Sequence, residues 1–340
     1  MHWFGWKGRF ILRRLGLLVL QVWGIVTTVF ILIQLLPGDP TYLLGGEFST
    51  PSTRASIAQD LGLDQPIYVR YFKYMENVLH GDLGTSYFTG KPILEEVLRH
   101  FTATFELVTF AFIVAVGLGI PLGIWSAVSR KGFLKNIPTA YGMVAGALPE
   151  FWWALMSILI LYVILGFAPA PIGRIDVSVD PPHTITGLYT LDALMTGNVS
   201  AFASSLAHLV LPGLTLAFVN AAPIVKVTRT QMLEVMSSGF VRYAQACGMK
   251  RGRIYRDALK NALLPVITYS GLVYGFLISG AVLVETVFSW GGLGQFAVSS
   301  VVNSDYLAVA GSVMFIASFA LTVYVLMDIL QAVVDPRTNR

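Results

Sequence analysis

Charge is what this 340-residue sequence is short of: Asp, Glu, Lys and Arg together make up 12% of it, about half the usual share of roughly 25% in soluble domains. With 55% hydrophobic residues and a mean hydropathy of +0.68, it has too little polar surface to cover a soluble core, which excludes a water-soluble enzyme. Cysteine is nearly absent as well. The single Cys247 excludes an intrachain disulfide framework and any multi-cysteine zinc or iron–sulfur site. No Gly-x-x-x-x-Gly-Lys-Ser/Thr run exists; the one Gly-Lys pair, Gly90-Lys91, leads into Pro92, so no P-loop for ATP is present. The five histidines (His2, His80, His100, His183, His208) are scattered, without the spacing of a helical zinc pair. No catalytic residue, cofactor-binding residue or metal ligand is therefore expected. The net charge of +4 would point to nucleic acid only if basic residues clustered on a soluble face. In so apolar a chain their placement reports membrane topology instead.

What the sequence has in abundance is long apolar runs. Six are long enough to span a bilayer: Leu15–Leu36, Thr104–Val128, Thr139–Gly166, Leu206–Val227, Ala262–Val284 and Leu307–Val334. The first is too long for a signal-peptide core and exits into Leu35-Leu36-Pro37-Gly38-Asp39-Pro40 rather than a small-residue cleavage site, so it reads as a retained anchor. Six spans put both termini on one side. That side carries 17 of the 23 Lys and Arg, including seven in Arg229–Lys260, so the positive-inside bias makes both termini and the 229–260 loop cytoplasmic. The fold expected is an all-α polytopic membrane protein, a single transmembrane domain over residues 1–340.

The segment 37–103 is an extracytoplasmic insertion with two short helices. Thr50-Pro51 offers an N-cap followed by proline at the first helical position, and Leu61-Gly62 a stop. Ile67, Tyr71, Met75 and Val78 then recur at helical spacing after Gln65-Pro66, until His80-Gly81. The proline-rich stretch from Phe167 to Ser205 reads as an irregular outer loop. Pro121, Pro149, Pro212, Pro223 and Pro265 fall inside apolar runs, where each predicts a kink. Carboxylates near the membrane are few. Glu106 and Asp328 sit near span ends, where snorkelling or capping accounts for them, and Glu285 lies near an outer edge. Glu150, between Pro149 and Phe151-Trp152-Trp153, lies deeper and is a candidate for a polar pathway or a cross-helix pair.

Between the fourth and fifth runs, Gly239 to Gly248 is long enough for two or three helical turns outside the membrane. Ala244 and Gly248, four apart, share a face that would permit close approach by another surface, with Phe240 as an apolar knob beside them. A purely basic positive-inside loop would not account for an amphipathic helix at this point.

Ala244-x-Ala246-x-Gly248, followed by Leu264-Pro265, resembles the coupling-loop signature of ABC importer permeases. The resemblance runs along nearly the whole chain: Arg13-Arg14-Leu15-Gly16, Pro37-Gly38-Asp39-Pro40, Leu61-Gly62-Leu63-Asp64-Gln65-Pro66, His80-Gly81-Asp82-Leu83-Gly84, Phe151-Trp152-Trp153, Glu285-Thr286-Val287-Phe288-Ser289-Trp290-x-Gly292-Leu293-Gly294 and Asp335-Pro336-Arg337. It is similar to the first permease subunit of the dipeptide, oligopeptide and nickel importers. Three positions depart from that pattern: Gly239 and Cys247 stand where the family often has an acidic and a basic residue, and Gly291 replaces a common proline, which could loosen that turn.

The resemblance implies a type I ABC importer permease fold in the bacterial inner membrane, with no bond chemistry in this chain. Phe240, Arg242, Tyr243, Ala244, Ala246 and Gly248 would sit in an ATPase groove. The implied partners are a second homologous permease, two ATPase subunits carrying ATP and Mg, an extracytoplasmic binding protein and membrane lipid, with no nucleic acid. Di- or oligopeptides lead as cargo by family frequency alone. The alternatives are an ion-coupled secondary carrier, which calls for paired buried charges and inverted repeats, and a membrane-embedded enzyme, which calls for a His, Asp/Glu or Ser constellation inside the bundle.

Overall fold

A computed structural model describes residues 2–35, 49–60, 62, 64–129 and 132–334. The regular elements within them are helices: α1 (His2–Leu35), α2 (Pro51–Asp60), α3 (Ile67–Leu79), α4 (Ile93–Val128), α5 (Gly132–Gly146), α6 (Glu150–Ser157, continued as a π-helical stretch Ile158–Ile164), α7 (Tyr189–Met195), α8 (Val199–Met236), α9 (Gly239–Ala246), α10 (Arg251–Val287), α11 (Leu293–Val302) and α12 (Tyr306–Val334). Five of them, α1, α4, α8, α10 and α12, are long and apolar enough to cross a membrane, and the bent α5/α6 pair brings the crossings to six when taken as one span. The expected Pro37–Pro40 and Asp335–Arg337 motifs, and Leu61, Leu63, Arg130 and Lys131, lie outside the described residues.

The short helices form where their punctuation places them. Thr50 Oγ1 accepts the Thr53 N–H at 3.2 Å, the N-cap bond that starts α2 just before Pro51. Gly81, at φ +78, follows the end of α3. The expected third span, in contrast, is not one helix. It stops at Gly146, resumes at Glu150 and turns by 92° across Ala147–Pro149. Pro149 has no N–H to donate and sits at ψ 155, outside the helical region. Pro121, Pro212, Pro223 and Pro265 remain inside continuous helices. The helices also outrun the apolar runs, so most of the 229–260 segment read as a loop is the end of α8 and the start of α10, with α9 between them.

Glycines set the closest helix approaches. On α4, a Cβ at Gly119 would lie 2.8 Å from Ile224, and one at Gly123 would lie 2.5 Å from Thr228 Cβ and 2.8 Å from the Val225 carbonyl, both on α8. Gly271 and Gly275 do the same for α10, where a Cβ would meet Met327 and Tyr324 of α12 at 2.3 and 2.4 Å. The first Gly-x-x-x-Gly pair thus lets the α4 and α8 backbones approach, and the second seats the Met327 and Tyr324 side chains against α10, close packing that matters where apolar burial gives no net drive between helices in lipid. The core of Leu107, Ala111, Leu216, Ile224, Leu277 and Ala281 fills the space among α4, α8 and α10. On its flank, Val26 and Val29 of α1 pack with Ala310 and Met314 of α12, and α3 lies across α1 through Thr27 Oγ1 and Tyr71 Oη, 2.8 Å apart. Arg14 in the first half of α1 pairs with Asp328 toward the end of α12 at 3.0 Å, which puts the start of α1 and the end of α12 at the same end of the bundle.

Candidate functional site

At that same end of the bundle, α9 lies between the C-terminus of α8 and the N-terminus of α10. Val241 and Ala244, three apart, turn inward against Ile254 and Met236, and Ala244 is only 9% exposed. This corrects the sequence reading: Ala244 approaches its own chain. Gly248 also has a local task. At φ +73, it donates its N–H to Gln245 O at 3.0 Å, while Met249 N–H reaches Ala244 O at 3.1 Å, the two bonds of a Schellman motif. Phe240, Arg242, Tyr243 and Ala246 remain exposed, with Tyr243 74% so. The packing of Val241 and Ala244 fixes which face α9 presents.

At the opposite end, the segment after α10 folds back over a buried carboxylate. Glu285, fully buried, accepts Thr104 Oγ1–H at 2.6 Å and the Gln295 N–H at 3.1 Å. Thr104 in turn accepts the Leu293 N–H at 2.8 Å, and Trp290 Nε1–H reaches Ala103 O at 2.9 Å. Gly292 makes room for the carboxylate, since a Cβ there would sit 2.4 Å from Glu285 Cδ. Gly291 does not loosen the turn. Its φ of +77 is one proline cannot adopt, its N–H is held by Gln295 Oε1 and its C=O by His100 Nδ1, each at 2.7 Å. His100 also stacks on Phe296 at 4.6 Å.

The proline-rich 167–198 stretch is irregular up to α7, but it is anchored. Glu106, expected to snorkel, is instead buried. It pairs with Arg174 at 2.5 Å and accepts Thr190 N–H and Oγ1–H at 2.8 and 2.6 Å, while Arg174 lies 3.8 Å over the Tyr189 ring. Asp192, 1% exposed, gathers N–H groups of Ile185, Thr186 and Gly187 and the Thr186 hydroxyl. Burial pushes its carboxyl up, but the Thr186 hydroxyl and these N–H groups together hold it below the ordinary 3.8. A lowered folded-state value means the stabilisation is full above the ordinary range and is lost as pH falls through the lowered value. Asp192→Asn is therefore expected to lower amide-exchange protection at Ile185–Gly187 at neutral pH, and wild-type protection there, measured against the intrinsic rate at each pH, should be lost only under strongly acidic conditions. Equal exchange in the two proteins at pH 7 would count against the anchor.

Midway along the bundle, Glu150 opens α6 at the 92° break. Asn220 Nδ2 of α8 donates to its Oε1 at 2.8 Å, and its Oε2 lies 2.6 Å from where a Gly280 Cβ would project from α10. The carboxylate thus pairs across helices, as the sequence allowed. Asn220 and Gly280 were not singled out from sequence, although an asparagine inside an apolar run was the available signal. Among the described residues no group of three His, Cys, Asp or Glu could hold a metal.

Residues 119–340 match the family described as binding-protein-dependent transport system inner membrane component, and residues 8–108 match the N-terminal region of such membrane components. The chain is 43% identical to the probable D,D-dipeptide transport system permease protein DdpB of Escherichia coli K12, over 95% of each chain. It is 38% identical to the dipeptide transport system permease protein DppB of the same strain, over 97% of this chain and 98% of the other. With the di/tripeptide transport system permease protein DppB of Pseudomonas aeruginosa UCBPP-PA14 it shares 36% identity, over 96% and 98%. A chain with five or six apolar crossings among its described residues that matches these proteins from end to end belongs to the binding-protein-dependent transport system inner membrane components, the multi-pass permease subunits of ABC transporters.

Proposed function

We propose that this chain is one of two homologous permeases in an ATP-driven importer that carries di- or oligopeptides into the bacterial cytoplasm. The observation that carries the reading is the end-to-end similarity, at 36–43% identity, to permeases named for dipeptides and di/tripeptides. In this reading the α9 end is cytoplasmic. Phe240, Arg242, Tyr243 and Ala246 enter a groove on an ATPase subunit, one of two that bind ATP and Mg, while Ala244 and Gly248 hold the helix in its presented pose. The exposed aromatic and basic side chains on a helix braced from behind suit a surface that has to transmit force without slipping. The opposite end, with residues 49–103, the Glu285 turn and the anchored 167–198 stretch, receives a substrate-loaded binding protein. Substrate passes between the two permeases as ATPase closure reorients them.

The test is ATPase activity of the complete assembly, this chain co-expressed with its genomic neighbours, in lipid nanodiscs with and without binding protein and a panel of peptides. Hydrolysis stimulated only when binding protein and a peptide are both present is the expected result. An inserted, intact assembly with no ATPase activity would refute the importer reading.

A further inference from the structure

Glu150 is a carboxylate at membrane depth, and its surroundings leave it only half provided for. Asn220 supplies one neutral donor to Oε1; among the described residues no donor is placed on Oε2, and no Lys, Arg or His lies within ion-pair distance of either oxygen. The backbone around it is equally unusual. Ala147, Leu148 and Pro149 interrupt the helix and are exposed, and so is Phe151. Non-helical backbone and a carboxylate are both costly against hydrocarbon, and at membrane depth they persist only when covered by protein or facing a water-filled path. Gly280 adds a further sign of design, because any larger residue would displace the carboxylate. Close by on α10, Phe276, Ser279 and Leu283 form an exposed stripe at helical spacing, so the node stands beside an uncovered face.

We infer that Glu150 is the contact for the positively charged amino group of the cargo as it crosses the membrane, an assignment that rests on the peptide-importer reading above. A peptide's α-amino group, with an ordinary pKa of about 8, is a cation at neutral pH. Asn220 orients the carboxylate without neutralising it, and Gly280 gives it room. Oε2 keeps no hydrogen-bond donor among the described residues. A single carboxylate with one neutral partner also suits transport better than a full cage, since cargo must leave as readily as it enters. A purely structural role would not require charge: glutamine has the same shape, and its side-chain oxygen would accept the Asn220 bond equally well.

The deciding experiment compares wild type, Glu150→Gln and Glu150→Asp in the complete assembly, reconstituted in proteoliposomes with binding protein and radiolabelled alanyl-alanine. Two quantities are read: ATPase stimulation by loaded binding protein, and peptide imported per ATP hydrolysed. Glu150→Gln is expected to keep the stimulation but import about tenfold less peptide per ATP, as expected for loss of one charge-assisted contact; Glu150→Asp should stay within about threefold of wild type. Equal import by wild type and Glu150→Gln would overturn the assignment, and so would equal losses in both variants, which would mark a packing role. A wild-type assembly whose ATPase ignores loaded binding protein would refute the importer reading itself, and this assignment with it.

Discussion

Glu285→Ala is expected to destabilise the fold by roughly 2–5 kcal/mol, the cost of two buried donors left unmade plus a cavity. The Thr104 hydroxyl and the Gln295 N–H both lose their acceptor in a place shielded from solvent. The effect should spread, because Thr104 also holds the Leu293 N–H and its neighbour Ala103 holds Trp290. Thermal unfolding in detergent should show a clear drop in apparent melting temperature, and amide exchange at Leu293 and Gln295 should accelerate first. A second substitution sharpens the reading. Gly292 has φ −81, so alanine suits its backbone, and the Glu285 carboxylate is what a Cβ there would strike. Gly292→Ala alone should therefore be harmful, yet the same change in the Glu285→Ala background should cost little, since the space is then free. Additive losses in that cycle would show that the carboxylate and the glycine do not share the site.

Phe240→Ala and Tyr243→Ala should leave insertion, yield and unfolding temperature unchanged, because both side chains are exposed and neither belongs to the packing of Val241, Ala244 and Ile254. What they should lose is the ATPase partner. Truncating a central aromatic of an interface typically costs about 2 kcal/mol or more, so co-purification of the ATPase subunits should fall on the order of thirtyfold for one or both variants. Peptide-stimulated hydrolysis should fall with it. Val241→Asp is the control with the opposite pattern: it places a charge in the inward face and should reduce yield before it affects coupling. Wild-type coupling in both aromatic variants would rule out α9 as the ATPase contact.

Much of this arrangement could be read along the chain, where the signal is local. Apolar runs placed the crossings, Thr50-Pro51 placed the start of α2, and a ten-residue amphipathic segment between two spans placed α9. Which way α9 faces was not local. In a helix of two turns, Phe240 with Ala244 and Val241 with Ala244 are both plausible stripes, and only Ile254 and Met236, from neighbouring helices, select the second. Proline behaved similarly. Five lie in apolar runs and one breaks its helix, because tolerance depends on how neighbouring helices repack around each proline. The Glu106–Arg174 pair joins residues 68 apart across an irregular stretch. No periodicity encodes such a contact, and Glu106 consequently read as a span-end carboxylate that snorkels or caps. Glu150 stood out as a charge in an apolar run, but its meaning comes from Asn220 and Gly280, which two other helices deliver.

The glycine contacts of α10 give that helix a mechanical character. Arg251–Val287 is one unbroken rod, about 55 Å long at 1.5 Å per residue, running from beside α9 to the Glu285 turn. Met327 and Tyr324 of α12 lie directly against it at Gly271 and Gly275, the point that would serve as a fulcrum were the helix to tilt. The arm toward α9 is about 33 Å and the arm toward Glu285 about 21 Å. A tilt about that point moves the two ends in opposite directions, with roughly 1.6 Å of travel beside α9 for each 1 Å at the far turn. Trp290 follows directly on the shorter arm and is tied to α4 through Ala103 O, so any such tilt would be felt at an indole held between two helices.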